Sequence, residues 1–175
     1  MDDILEFHTI ADVKKALIEN SDQVIEEKIS ILLNAIQNNN IEVFDFVLHN
    51  VSRDSMSIQN ISLIVPVLQN RYYDILDSMI DYGFEFNVFT VFFIAYNFDK
   101  ELNGDLELLK NLEKRGFDTD LVKSELVKKN IPEVYEYIIE RFGDVEIEND
   151  SNLWDTYTDA VMQVYDKVKR ENISI

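Results

Sequence analysis

Apolar residues recur along most of this chain at the three- and four-residue spacing of one helix face. The pattern predicts helices over residues 10–19, 21–36, 41–50, 57–69, 72–82, 88–98, 105–116, 121–129, 131–141 and 152–170. Only four glycines and two prolines interrupt the chain, which argues against a sheet-rich fold with many tight turns. The sequence therefore predicts an all-α protein.

Two of these segments need interpretation. Val88 to Phe98 is almost wholly apolar and by itself also fits a buried strand. A turn precedes it and a helical phrase follows it, so we interpret it as the buried first helix of a pair. Pro66 lies inside the segment 57–69 and is expected to kink or shorten that helix.

One phrase, a helix that ends at a glycine, occurs twice. It runs from Asp105 to Gly116, and an earlier copy ends at Gly83, which precedes Gly116 by 33 positions. A glycine suits the left-handed conformation with which many helices end. Together with weaker copies, the repeat has five anchors, separated by steps of 30, 32, 33 and 26 residues: Val13, Val43, Ile75, Leu108 and Val134. A repeated phrase predicts a stack of similar units.

The phrase from Asp105 to Asp118 resembles the second helix and turn of an ankyrin repeat. It has a small polar start, paired apolar residues, a charged helix end and a glycine before a final Asp. The resemblance covers about residues 10–147. The repeated sequence is similar to the divergent ankyrin-like arrays of large DNA viruses and phages. It implies a short solenoid of stacked helical hairpins that serves as a binding scaffold.

The sequence departs from the ankyrin pattern at several points. The Thr-Pro-Leu-His start of the first ankyrin helix is absent from every copy, and Phe84 and Phe117 stand where a small residue is usual. The 26-residue step is too short for a full repeat. Another kind of helical hairpin stack is therefore the alternative architecture.

We expect a single helical-repeat domain over residues 1–175, with a capping helix over about 151–170. The apolar residues of that last helix form one stripe, as a helix that closes a stack and faces water requires. Trp154 and Tyr157 are expected to cover the apolar edge of the last hairpin, around Val134, Tyr135 and Ile138. Deletion of residues 151–175 should expose that edge.

Acidic residues dominate the charge: 16 Lys and Arg stand against 34 Asp and Glu, and the formal net charge is −18. Direct binding to nucleic acid or to an anionic membrane is therefore not expected, because both require basic surfaces. No apolar run approaches the roughly 18 residues of a membrane span, and the acidic start does not fit a signal peptide. We expect a cytoplasmic protein, in the host cytoplasm if it is viral.

Sequence patterns for catalysis and metal binding are missing. Cysteine is absent, the two histidines stand alone and the four glycines are scattered singly, so thiolate chemistry, a histidine-rich metal site and a phosphate-binding loop are not expected. The acids from Asp144 to Asp150 alternate as in a calcium loop but lack its glycine and its final glutamate. We expect no catalytic residues, no cofactor and no metal.

Carboxylates are concentrated in two stretches that lack Lys and Arg, residues 72–99 and 144–166. The candidate partner-binding residues taken from them are Asp74, Asp77, Asp81, Glu85, Phe86, Glu146, Glu148 and Asp150. The first three fall on one stripe of a helix, opposite its apolar residues. Each stretch fits either an ordinary solvated face or an acidic surface that docks in a basic groove.

The nearby aromatic residues Phe84, Phe86 and Phe117 also admit two interpretations. They fit packing between the turns of the stack, or anchors on an exposed edge that contacts a partner.

The expected function is non-catalytic protein–protein interaction through ankyrin-like helical repeats. The alternative is an acidic inhibitor or decoy, a nucleic-acid mimic that blocks the basic groove of a nucleic-acid-binding protein, as a viral counter-defence or immunity protein would. Carboxylates three or four residues apart on a helix are separated by about 4.5–6 Å along its axis. That separation is loosely similar to the phosphate repeat of nucleic acid. In both cases the partner is another protein.

Overall fold

The computed structural model describes residues 9–19, 24–49, 60–143 and 145, apart from the side chains of residues 16–19, 24–27 and 60. All regular structure in these ranges is helical. The helices are α1 (Ile10–Glu19), α2 (Val24–Gln37), α3 (Ile41–Leu48), α4 (Asn60–Gln69), α5 (Tyr73–Tyr82), α6 (Val88–Tyr96), α7 (Leu106–Glu113), α8 (Thr119–Lys128) and α9 (Pro132–Phe142). The prediction of an all-α fold is confirmed for the described part of the chain.

The helix boundaries follow from capping residues in the sequence. Four residues each accept a hydrogen bond from the backbone N–H three positions ahead, and so begin α3, α6, α7 and α8: Asn40, Asn87, Asp105 and Asp118. Gly83 has a φ of 111° and ends α5 in the left-handed conformation. That ending is the one predicted from its place after the last apolar residue.

The two segments that needed interpretation are both helical. Residues 88–96 form α6, so the interpretation of this apolar run as a helix is confirmed, and five of its nine residues are buried. The helix α4 continues for three residues beyond Pro66, to Gln69. The proline therefore does not end the helix, and the chain turns only after Gln69, where Arg71 has a φ of 59°. The alternative, that Pro66 kinks α4, stays a prediction.

The chain divides into two compact units, Met1–Phe84 and Glu85–Ile175. In the first unit, α2 packs against α3 and α4, α3 packs against α1 and α5, and α4 packs against α5. In the second unit, α6 packs against α8, α7 packs against α9, and α8 packs against α9. Within each unit, each helix thus packs against the helix two places further along the chain.

The core of the first unit is formed by the buried faces of its helices. Phe44 on α3 has no exposed surface. Aliphatic side chains of α2, α4 and α5 are buried to the same degree: Leu32, Ile36, Leu63, Ile64, Leu68, Ile75 and Leu76. Burial of each such side chain stabilises the fold by about 1.5–3 kcal/mol. The apolar residues therefore determine which side of each helix faces outward.

In the second unit, three helices meet at the carboxylate of Glu113, whose side chain is 14% exposed. The Thr119 hydroxyl at the start of α8 donates to it at 2.5 Å, the Tyr137 hydroxyl on α9 at 2.6 Å, and the Arg141 guanidinium at 2.7 Å. Hydrogen bonds to an ionised acceptor are stronger than neutral ones. Glu113 therefore ties the end of α7 to both helices of the following pair.

This arrangement predicts a pH dependence at Tyr137. The hydrogen bond to Glu113 raises the pKa of the Tyr137 hydroxyl, because ionisation would break the bond and place two negative charges together. Burial raises this pKa further. A tyrosine in the unfolded chain ionises near pH 10, so the stability that this bond contributes is present below about pH 10 and is lost as the pH rises through the higher folded pKa.

We therefore expect the difference in unfolding free energy between the wild type and Tyr137→Phe to be constant from neutral pH up to about pH 10 and to shrink above it. Urea unfolding of both proteins across this range measures the difference. An unchanged difference above pH 10 would contradict the assigned hydrogen bond.

Candidate functional site

Three of the predicted site residues form one exposed stripe on α5. Asp74, Asp77 and Asp81 all lie on its solvent side, as the spacing predicted. The opposite side is held in the core by three side chains with at most 1% exposure: Ile75, Leu76 and Met79. Since side chains three and four residues apart share a helix face, burial of one stripe fixes the outward direction of the other.

The neighbouring helix α3 lies alongside α5 and runs in the same direction. The Ser78 hydroxyl donates a hydrogen bond to the Asp45 carboxylate. One turn further along both helices, the His49 and Tyr82 rings meet edge to face with centroids 5.9 Å apart. Both contacts join residues 33 positions apart, one more than the 32-residue step between the anchors of these two copies, so the two helices are paired in parallel.

This pairing adds two carboxylates to those of α5. Glu42 is exposed and Asp45 is half-buried, and both lie on α3. We define the acidic surface by the carboxylates of both helices: Glu42, Asp45, Asp74, Asp77 and Asp81. Neither helix contains a Lys or Arg. Like charges at adjacent positions add to one negative potential, which attracts a positively charged partner from a distance.

Toward α1 the acidic surface ends at a lysine. The Lys14 amine lies 5.3 Å from the centre of the Phe46 ring, which is on α3. This distance is within the range of a cation–π contact. The change from carboxylates to a lysine therefore marks one border of the surface.

Glu42 and Asp45 were not among the predicted site residues, although the sequence contained the signal. They lie outside the acidic stretches of the chain and join the acidic surface only through the pairing of two helices. At the step of 32 residues between the anchors Val43 and Ile75, Glu42 corresponds to Asp74 and Asp45 to Asp77. Equivalent residues of neighbouring copies meet in a stack, so this correspondence could have identified both.

Two of the other predicted site residues follow α5 at the start of the second unit. Glu85 is exposed and Phe86 is half-buried, and both belong to the second unit. Phe86 meets the edge of the Phe117 ring at 5.9 Å. Phe84 and Phe117 are 5% and 4% exposed, so the packing interpretation is confirmed for these two. The predicted residues Glu146, Glu148 and Asp150 and the predicted capping helix lie outside the described residues.

Among the residues that the structure describes, no cluster of three or more His, Asp or Glu side chains is placed to hold a metal ion. None of the helices in these same ranges combines the length and the apolar character that crossing a bilayer requires.

Comparison with known proteins gives no match: no family model fits the sequence, no curated protein is significantly similar to it, and no solved structure matches its fold. Its function must therefore be inferred from the surfaces of this chain.

Proposed function

We propose that this protein is a non-catalytic protein–protein interaction module built as an ankyrin-like stack of helical hairpins. The observation that supports this most is the 33-residue register of lateral contacts. In the first unit Asp45 is bonded to Ser78, and in the second unit the Lys129 amine donates to the Tyr96 carbonyl oxygen. Side-by-side contact between residues one period apart is the geometry that stacked repeats produce.

A stack of this kind can bind a partner protein without catalytic residues. Each repeat contributes core residues at fixed positions, while its outward residues can vary without disturbing the core. The outward residues of adjacent helices then form one extended surface for a partner. We place this module in the cytoplasm, and in the host cytoplasm if the protein is viral.

The second candidate is the more specific one: an acidic inhibitor or decoy that occupies the basic groove of a nucleic-acid-binding protein, as a viral counter-defence or immunity protein does. The acidic surface supports it, because five carboxylates lie on two adjacent helices that contain no Lys or Arg. Complementary charge accelerates association and fixes the orientation of the partners. The partner of this second candidate is a protein with a basic surface.

Affinity capture from the native cell tests both candidates. The baits are the full chain, the variant Asp74→Asn/Asp77→Asn/Asp81→Asn, and a matched control, Glu133→Gln/Glu136→Gln/Glu140→Gln. The control acids are exposed on α9. They occupy the second, fifth and ninth positions of their helix, as the three aspartates do on α5.

We expect a protein that is retained by the wild type and the control and is reduced on the aspartate variant, as identified by mass spectrometry at about physiological salt. A protein retained equally by all three baits would support the interaction module and contradict the acidic decoy. Failure of every bait to enrich any protein over an empty resin would contradict both.

A further inference from the structure

The helix α6 has no polar outer face. Its nine residues include no charged side chain, and five of them are buried: Thr90, Val91, Phe93, Ile94 and Ala95. The other four share one stripe: Val88, Phe89, Phe92 and Tyr96. Val88 is 52% exposed and the other three are half-buried. A helix at the surface of a globular protein normally has charged or polar residues on this side, so the exposed part of this apolar stripe is a candidate contact surface.

The beginning of α8 continues this apolar stripe. Phe86, just before α6, touches the edge of the Phe117 ring, just before α8. At the other end of the two helices, the Lys129 amine bonds to the Tyr96 carbonyl oxygen. Contacts at both ends mean that α6 and α8 run in the same direction. Leu121, which is 41% exposed near the start of α8, therefore lies at the same end of the pair as Val88.

Acidic residues border the stripe at that end. Glu85, Asp118 and Asp120 are all exposed there. Lys123 forms an ion pair with Asp120 at 2.6 Å, which leaves an excess of negative charge.

At the far end, the Lys129 amine is shared between Asp99 at 3.3 Å and Glu125 at 3.2 Å. Lys128 also pairs with Glu125, at 3.8 Å, so two lysines balance two carboxylates there. The excess of negative charge therefore borders the stripe only at the end where Val88 and Leu121 lie.

The apolar stripe and its acidic border together indicate which kind of molecule binds there. Exposed aromatic and aliphatic side chains are typical anchors of protein interfaces, because their burial in a complex is favourable. A second copy of this chain would bring a like-charged border and a net charge of −18 against the first, which opposes association. A segment whose apolar residues are flanked by Lys or Arg can cover the stripe with its apolar side chains and pair its basic side chains with the acidic residues at the border.

We propose that Val88, Phe89, Phe92 and Leu121 form a docking site, called here the α6 face, for an amphipathic basic segment of a partner protein; Tyr96 lies outside it, because the Lys129 amine is 5.0 Å from the centre of its ring. This inference rests on the proposed function and adds to it a second surface and the chemistry of its ligand. The segment places its apolar side on the α6 face and its basic residues against the carboxylates of Glu85, Asp118 and Asp120.

The test uses the full chain and two fluorescent synthetic helical peptides of about 18 residues, or five turns. One has leucines on one side and lysines on the other, and the second has glutamate in place of every lysine. The variant is Val88→Ser/Leu121→Ser, which removes apolar surface at two exposed positions. The control is Tyr135→Ser, at a residue that is 46% exposed on α9. Circular dichroism melting checks that each variant folds.

In an anisotropy titration we expect the wild type and the control to bind the lysine peptide, and Val88→Ser/Leu121→Ser to bind it about tenfold more weakly. The glutamate peptide should not bind. Equal affinity of the lysine peptide for all three proteins would overturn the proposal, because charge alone would then explain binding. Binding of the glutamate peptide would overturn the proposed chemistry of the ligand.

Sedimentation of the wild type as a dimer that Val88→Ser/Leu121→Ser dissociates would also overturn the proposal, since a second copy would then cover the α6 face. These outcomes test the α6 face and not the proposed interaction module. A partner found by affinity capture that binds the Val88→Ser/Leu121→Ser variant as tightly as the wild type would overturn the α6 face and leave the interaction module intact.

Discussion

Replacement of Phe44 by alanine is expected to lower the free energy of unfolding of the first unit by about 3–5 kcal/mol. Phe44 has no exposed surface and occupies the core side of α3. Truncation to alanine removes the transfer free energy of the ring and leaves a cavity that rigid neighbours fill only in part. Urea unfolding followed by far-ultraviolet circular dichroism measures the loss.

The matched control is Phe46→Ala, on the same helix and of the same residue type. Phe46 is half-buried and its ring lies under the Lys14 amine. We expect this change to cost about 1 kcal/mol, the range of a partly exposed cation–π contact with its associated packing. Equal losses in the two variants would contradict the assignment of the core face of α3.

Local features of the fold could be predicted from the sequence because they depend on neighbouring residues. The helical nature of 88–96 and the left-handed end at Gly83 each follow from a few adjacent side chains. Of the two effects predicted for Pro66, a kink or a shortened helix, the structure shows that α4 continues past it to Gln69. A proline lacks one backbone hydrogen bond, and the burial of Val67 and Leu68 beyond it favours continuation of α4.

The burial of residues that correspond between copies of the repeated phrase was harder to predict. The repeat pattern aligns Tyr135 with Leu109, but Leu109 is fully buried and Tyr135 is 46% exposed. The alignment assigns each residue to a position on its helix and not to a place in the stack. Burial depends on which helices lie on either side, so equivalent positions need not be equally covered.

The candidate site was predicted in part for a similar reason. The stripe of Asp74, Asp77 and Asp81 follows from spacing within one helix, but the contribution of Glu42 and Asp45 requires the pairing of α3 with α5. The exposed apolar stripe of α6 was also not predicted. Its residues were read as core, because an apolar run does not reveal which of its side chains reach the surface.

Simultaneous replacement of Asp74, Asp77 and Asp81 by asparagine is expected to slow association with a captured basic partner by about tenfold at low salt. Three of the five carboxylates of the acidic surface lose their charge while the shape of the helix is preserved. Stability should change little, because all three side chains are exposed. Loss of repulsion between acids three and four residues apart could raise it slightly. Stopped-flow or surface-plasmon kinetics measure the rate.

The control for this prediction is Glu133→Gln/Glu136→Gln/Glu140→Gln on α9, which removes the same number of charges from matched helix positions. If only the total charge of the protein mattered, both variants would slow association equally. We expect the control to associate at close to the wild-type rate.

The docking of a basic partner on the acidic surface is tested most directly by the salt dependence of the association rate. The rate is measured for the wild type and both triple variants between about 0.05 and 0.5 M salt, across which the screening length falls severalfold. We expect a steep decrease for the wild type and the α9 control, and a clearly flatter one for the aspartate variant. Equal rates with the same salt dependence for all three proteins would contradict a role of the acidic surface in binding.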